Sequence, residues 1–333
     1  MLISVCIPGY KGEQFLWRCL ESLAAQTFRD FEIIVVDDCS PGLDVKGWNC
    51  KKICKVFSRK YKQKINYFRN SRNMGCIDAR RNAVYEAKGK FIFCLDVDDV
   101  LKPECLEVLA KTQEEKNADI VQCGAEVVFA KNADSEHSEA DVNNKNNMER
   151  KANLLFEGEL LGKEVFDFSV INHKINFFVW GKLVLRQVFL DAFEKIPPCY
   201  CVWGEDYLIY FFVTYFAKKY VGIKDELYVY SVDTGISSGQ KIEDLTRWEK
   251  VCSVSSVFSI IFDSIENENL ELSEGQKDAV RRQCNTYVLS TYRYFKYFCI
   301  EEIKPQAWEM FCDYWGKSYV EKILIAYGEK ENL

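Results

Sequence analysis

A chain of 333 residues with 48% apolar side chains can bury the core of one large domain or two modest ones, which excludes a disordered or fibrous polypeptide. Its formal net charge of -6 offers no broad basic surface for a polyphosphate backbone, so nucleic acid is excluded as a partner. Fifteen cysteines form no even framework and the only histidines are His137 and His173, so a disulfide scaffold and a structural zinc site are both disfavoured. Reduced thiols in a cytosolic protein are expected.

The chain opens on Leu2 to Ile7, an apolar β-rich run with no basic leader or small-residue cleavage site, and no signal peptide is expected. Further β-rich runs follow at Phe31 to Val36, Ile65 to Phe68, Phe91 to Leu95 and Ile120 to Cys123. Between the first two, Phe15, Leu16, Cys19, Leu20 and Leu23 fall at helical spacing, and Ile53, Phe57 and Tyr61 suggest a second helix. This alternation predicts a largely parallel sheet with crossover helices. The segment from Lys131 to Asn153 is rich in Asn, Asp, Glu, Lys and Ser and nearly empty of large apolar side chains; a loop or insertion is expected there. An aromatic stretch including Phe166, Phe178, Trp180, Trp203 and Tyr207 is expected to complete the core and shape a substrate pocket.

From about Glu243 the pattern is helical to the end, with Trp248, Val251, Val254, Val257 and Phe258 three or four apart. These helices are expected to pack on the rest of the chain, although Arg281, Arg282, Arg293 and Lys296 would also suit a surface resting on anionic lipid. The longest mostly apolar stretch, Val254 to Ile265, is interrupted by serines and Asp263 and falls short of the ~20 residues needed to span a bilayer. The expectation is a cytoplasmic protein, or one peripheral on the inner face of the cytoplasmic membrane.

The chemistry gathers at strand ends. Asp96, Asp98 and Asp99 follow the run Phe91 to Leu95 directly, and ligands of open α/β sheets bind just beyond the carboxyl ends of strands. Clustered carboxylates there are hard oxygen ligands for Mg²⁺ or Mn²⁺, which can neutralise a departing diphosphate. Taken alone, an Asp-x-Asp-Asp after a strand is more often a solvated loop end or helix cap. Asp37 and Asp38 end the second run and should face the same edge. Two acidic strand ends in one crevice are costly unless something positive lies between them.

At this point the sequence resembles the family 2 glycosyltransferases of GT-A fold. The resemblance runs through Ile3-Ser4-Val5-Cys6-Ile7-Pro8-Gly9-Tyr10-Lys11, Leu20 to Phe28, and Glu32 to Ser40, where relatives usually carry Val-Asp-Asp-Gly-Ser and this chain has Cys39 for glycine. It continues through Asn73-Met74-Gly75, Ala79-Arg80-Arg81-Asn82 and Ala87 to Ile92 into the acidic cluster, covering about the first hundred residues in order. What it implies is an α/β, Rossmann-like fold with a mixed, mostly parallel central sheet flanked by helices and a helical C-terminal extension. Residues 1–125 would form the nucleotide-sugar half, 126–240 the acceptor half with its polar loop 131–153, and 241–333 the helical region.

The resemblance also implies roles. Pro8, Tyr10, Asp37, Asp38, Arg80 and Asp96 would bind the nucleotide, and Asp98 and Asp99 would hold Mn²⁺ or Mg²⁺. Val202 to Tyr207 resembles the family's Glu-Asp motif, with Asp206 as general base and Glu205 beside it; a base of this kind is worth ~10²- to 10⁴-fold. Trp180 and Lys182 resemble the Trp-Asn-Lys-Leu segment of bacterial members, with Gly181 for the Asn, and, with Trp203, would meet the acceptor; a core Trp and a surface Lys are a close second reading. Tyr228 to Ser238 resembles a region in which some relatives place a metal-binding histidine, where this chain has Asp233.

The activity implied is inverting, metal-dependent hexosyl transfer from a UDP-sugar to a glycan or lipid-linked acceptor in bacterial surface polysaccharide or lipooligosaccharide synthesis. Competing readings are a decayed GT-A carbohydrate-binding or assembly subunit and a sugar nucleotidyltransferase, although residues 1–15 lack the latter's Gly-rich loop with Arg and Lys. No G-x-G-x-x-G follows the first strand, which argues against a dehydrogenase.

Overall fold

The computed structural model describes residues 2–129, 138–232, 241–268 and 270–329. Five strands fall where apolar runs predict them: β1 (Ile3–Gly9), β2 (Phe31–Asp37), β3 (Ile65–Arg69), β4 (Phe91–Cys94) and β6 (Ile120–Val128). Four more, β5 (Val100–Leu101), β7 (Gly158–Leu161), β8 (Lys182–Leu185) and β9 (Lys219–Ser231), were not read from the sequence. Together they make one sheet in the order β3-β2-β1-β4-β8-β6-β9-β5, with β7 also on β9. Strands β1, β2, β3, β4, β6 and β9 run one way and β5, β7 and β8 the other. The sheet is therefore mixed and mostly parallel. Its first strands are buried on both faces, which is why they read as unbroken apolar runs.

Helix α1 (Glu13–Ala24) buries Leu16, Cys19, Leu20 and Leu23, and α2 (Cys50–Tyr61) buries Cys50, Ile53, Cys54 and Phe57, the stripes that their spacing predicts. Asn49 caps α2 by accepting from Lys52 N at 2.9 Å. Helices α3 (Cys76–Glu86) and α4 (Cys105–Lys116) complete the early crossovers.

The polar segment expected as a loop is corrected in part: Glu139–Ala152 forms helix α5, while residues 130–137 lie outside the described residues. A Ser138–Asp141 capping box opens α5 and a Lys145–Glu149 pair at 3.7 Å spans one of its turns. Among its described side chains only Ala152 is buried, with Met148 against the core, so α5 shows no apolar stripe for a sequence reading to find.

Short α6 (Lys163–Phe166), α7 (Arg186–Glu194) and α8 (Glu205–Phe216) follow. The chain divides into two compact units, Met1–Lys195 with Ile209–Ser238, and Ile196–Leu208 with Gly239–Leu333. The second contains α9 (Leu245–Cys252), α10 (Ser255–Glu266), α11 (Glu274–Phe298), α12 (Lys304–Trp315) and α13 (Lys317–Ala326). Its core gathers Trp248, Val288, Phe311, Val320 and Leu324, with Trp248 Nε1 donating to Ala307 O at 2.8 Å. No helix among the described residues is long and apolar enough to cross a membrane.

Candidate active site

Three chain segments meet where β1, β2 and β4 end. Asp38 N donates to Gly9 O at 2.8 Å, and Leu95 N to Cys6 O at 3.0 Å, so the loops after all three strands leave the sheet side by side. Lys11 N donates to Ser40 Oγ at 3.0 Å. A Cβ on Gly12 would lie 2.5 Å from Val97 Cγ1, so the loop after β1 needs glycine there to admit the acidic turn. Pro8 is buried opposite Val36, while Tyr10 is 44% exposed.

Asp37 and Asp38 are both buried and both satisfied. Asp37 accepts from Ser40 N at 2.8 Å and Tyr67 Oη at 2.6 Å, and pairs with Arg69. Burial alone would raise its pKa, but the hydrogen bonds from Tyr67 and Ser40 and the Arg69 charge hold it below the ordinary carboxylate value. Asp38 accepts from Asn70 Nδ2 at 2.7 Å, Met74 N at 2.9 Å and Gly75 N at 2.8 Å, filling about three of the roughly four acceptor positions of a carboxylate. Asn82 Nδ2 in turn donates to Asn70 Oδ1 at 3.0 Å, which gives the Asn of the Ala-Arg-Arg-Asn segment a positional task.

The turn after β4 is held from further away. Asp99 is buried; its carboxylate accepts from Tyr228 Oη at 2.6 Å and Ser231 N at 2.8 Å, both on β9. Burial, then the charges of Asp98 and Asp96, raise its pKa well above the ordinary value against the pull of those two bonds. Each Asp99 carboxylate oxygen thus accepts one bond from β9, which braces the turn from within. Asp98 is partly exposed, and its backbone carbonyl accepts from Arg18 Nη2 at 2.5 Å and Ser231 Oγ at 2.8 Å. The same Arg18 nitrogen donates to Ser231 Oγ at 2.9 Å. Buried Arg80 pairs with Asp96 Oδ1 at 3.0 Å, placing a cation within the acidic edge. Asp233 lies outside the described residues.

Among the described residues no three His, Cys, Asp or Glu side chains converge as a preformed metal cage. The donor set fits instead a hard divalent ion that arrives with a diphosphate, since such an ion needs only one or two protein carboxylates.

Two acceptor expectations are also corrected. Trp180 is buried and stacked, 4.6 Å from the rings of both Phe178 and Tyr228 and 5.1 Å from Tyr230. Lys182 is fully buried: its Nζ donates to Asn176 Oδ1 at 2.5 Å and to Phe178 O, and stands 4.5 Å from the centre of the Tyr210 ring. Both lie in or just before β8, and neither side chain is presented to solvent. In the second unit, Glu205 and Asp206 are partly exposed in the first turn of α8, after Gly204 with φ of 85°. Trp203 packs edge-on against Tyr287 at 5.5 Å.

Arg18, Tyr228 and Ser231 were not singled out by the sequence reading. Tyr228 and Ser231 stand in a segment quoted for the resemblance, but only the register of β9 reveals what they hold.

A mixed sheet with acidic loops at the carboxyl ends of its first strands is the GT-A arrangement, and solved structures share it. Staphylococcus aureus TarS 1–349, solved in complex with UDP, aligns with a TM-score of 0.55 at 17% identity, covering 100% of this chain and 93% of that one. The mannosyltransferase PcManGT from Pyrobaculum calidifontis, in complex with GDP-Man and Mn²⁺, aligns with a TM-score of 0.53 at 12% identity, covering 99% and 76%. Residues 4–177 match glycosyl transferase family 2, and the chain belongs to that family. It is similar to glycosyltransferase GlyG of Streptococcus pneumoniae serotype 4, 32% identical over 120 residues, or 36% of this chain and 38% of that protein. It is also similar to the minor teichoic acid biosynthesis protein GgaB of Bacillus subtilis, 27% identical over 248 residues, or 74% of this chain and 25% of that one. The chain thus spans well under half the length of these curated relatives.

Proposed function

We propose that this chain is an inverting glycosyltransferase that moves a sugar from a UDP-sugar to a glycan or lipid-linked acceptor in bacterial surface polysaccharide synthesis. The observation that carries the reading is the single edge at which Asp38, Asp96, Asp98 and Arg80 are held beside the ends of three parallel strands. TarS in complex with UDP and with UDP-GlcNAc supports a uridine donor, and the teichoic acid assignment of GgaB supports a surface-glycan acceptor.

In this reading Asp38 accepts from the base or the ribose, and Asp37 braces the loop that carries it. Tyr10, exposed beside that loop, flanks the nucleoside, and Pro8 shapes the strand end beneath. Arg80, paired with Asp96, holds that carboxylate toward the ribose. Asp98 takes the divalent cation, while Asp99 fixes the turn from behind. Bound there, Mn²⁺ or Mg²⁺ supplies charge neutralisation for the departing diphosphate. Asp206 removes the acceptor hydroxyl's proton as that oxygen attacks the anomeric carbon, with Glu205 and Trp203 orienting the acceptor.

The test is nucleoside diphosphate release across UDP-, GDP- and dTDP-sugars with and without Mn²⁺, run with a panel of glycan acceptors. Metal-dependent turnover of a UDP-sugar is expected, lost in Asp98→Ala and reduced ~10²- to 10⁴-fold in Asp206→Asn. Full activity of Asp98→Ala would remove the metal assignment, and turnover of a GDP-sugar alone would remove the donor assignment.

A further inference from the structure

From Val45 to Tyr61 the chain carries Lys46, Lys51, Lys52, Lys55, Arg59 and Lys60 and not one carboxylate, although its net charge is -6. All six are exposed, and among the described residues none of them forms an ion pair. Five lie on α2, whose opposite face is the buried stripe Cys50, Ile53, Cys54 and Phe57, so its solvent side is cationic throughout. The helix dipole accounts for Arg59 and Lys60 in the last turn. It does not account for Lys51 and Lys52, which stand in the first turn, where the positive pole disfavours cations.

Beside this face stands an apolar tip. Leu43 is 63% exposed and Val45 97%. Asp44 holds both in place: its Oδ1 accepts from Lys46 N and Trp48 N at 2.8 Å each, and its backbone bonds to Trp48 O and from Gly47 N at 2.9 Å each. Tip and helix adjoin at Trp17, which lies 6.3 Å from the Trp48 ring and 5.2 Å from the Phe57 ring. Lys46 and Lys60 stand over that same indole at 5.1 and 5.2 Å.

The basic stretch that the sequence suggested for lipid is built differently. There Arg281 pairs with Asp278 at 2.7 Å, and Arg293 and Lys296 both pair with Glu329.

We propose that the solvent face of α2, together with the Leu43–Val45 tip, rests on an anionic lipid surface. Lysines meet headgroup phosphates while the two apolar side chains enter the acyl boundary. A soluble polyanion would use the cations but give Leu43 and Val45 nothing to bury, which is why lipid is the occupant favoured. The proposal is independent of the transfer activity and stands or falls on binding alone.

The full chain is sedimented with vesicles of phosphatidylglycerol and phosphatidylcholine in equal parts, and with phosphatidylcholine alone, at low and high salt. Binding to the anionic vesicles only, weakened by salt, is expected. Replacing Lys51, Lys52 and Lys55 together by alanine should weaken it on the order of 100-fold, at about fivefold per cation. Leu43→Ser with Val45→Ser should weaken it roughly tenfold and leave the salt dependence unchanged. All five side chains are exposed, and unchanged circular dichroism is the control for folding. Absent binding, equal binding to both vesicles, or displacement by inorganic polyphosphate together with indifference to the Leu43 and Val45 changes would overturn the proposal.

Discussion

The carboxylates that end β2 and those that follow β4 share one sheet edge but are held by opposite means. Asp37 and Asp38 are held by residues 40 to 75, nearer along the chain, and the net effect on Asp37 is a lowered pKa. Asp99 is held by residues 129 and 132 positions further on, in a pocket that raises its pKa. The difference separates two tasks. A locally satisfied pair is a rigid set of acceptors suited to neutral donors such as base N–H and ribose hydroxyl groups. A cluster in which mutual repulsion persists is suited to a cation.

Breaking the remote brace should have the largest effect. Arg18→Ala removes one of the two donors to the Asp98 carbonyl, and metal-dependent nucleoside diphosphate release should fall roughly 10- to 100-fold, because small misplacements of a reacting constellation are costly. A Mn²⁺ titration of the purified variant should show a weakened metal response; an unchanged titration and turnover would show that Asp98 does not depend on this brace.

The local brace is tested through stability. Asp37→Asn should cost about 1–3 kcal/mol in urea unfolding at neutral pH, by weakening the hydrogen bonds of a buried carboxylate and its pair with the exposed Arg69. Because Asp37 has a folded-state pKa below its unfolded value, its ionised form stabilises above the unfolded value, and that contribution is lost as pH falls through the folded one. The gap between wild type and variant should therefore close in acid. A gap that widens in acid would show that the direction of the shift is wrong.

The smallest effect expected belongs to Cys39, which stands at φ of 63° where relatives usually carry glycine. Left-handed backbone costs a non-glycine residue ~1–2 kcal/mol, and the extra freedom of unfolded glycine offsets ~0.5–1 of that. Cys39→Gly should raise stability by up to about 1 kcal/mol, seen as a higher melting temperature.

The first strands and helices were legible because burial on both faces, or along one stripe, writes itself into residue periodicity. Helix α5 was not, because a helix that buries little more than Ala152 leaves no such trace. Strand β8 is only four residues long, and the burial of Lys182 depends on an amide and a carbonyl that converge through tertiary structure. The acidic residues were found by type and position, whereas their division into braces and presented ligands depends on partners elsewhere in the chain. Net charge misled in its own way: an average of -6 concealed a stretch with no acid at all.

Strand β8 lies antiparallel between β4 and β6, although it follows both in the chain. During synthesis the first seven strands therefore emerge before the piece that joins β4 to β6, and the edges of those two strands that face it wait unpaired until Leu185 has cleared the ribosome. Anything that stalls translation within that interval would leave a nascent chain with open seams, and the cell's need for a holding chaperone should be greatest there.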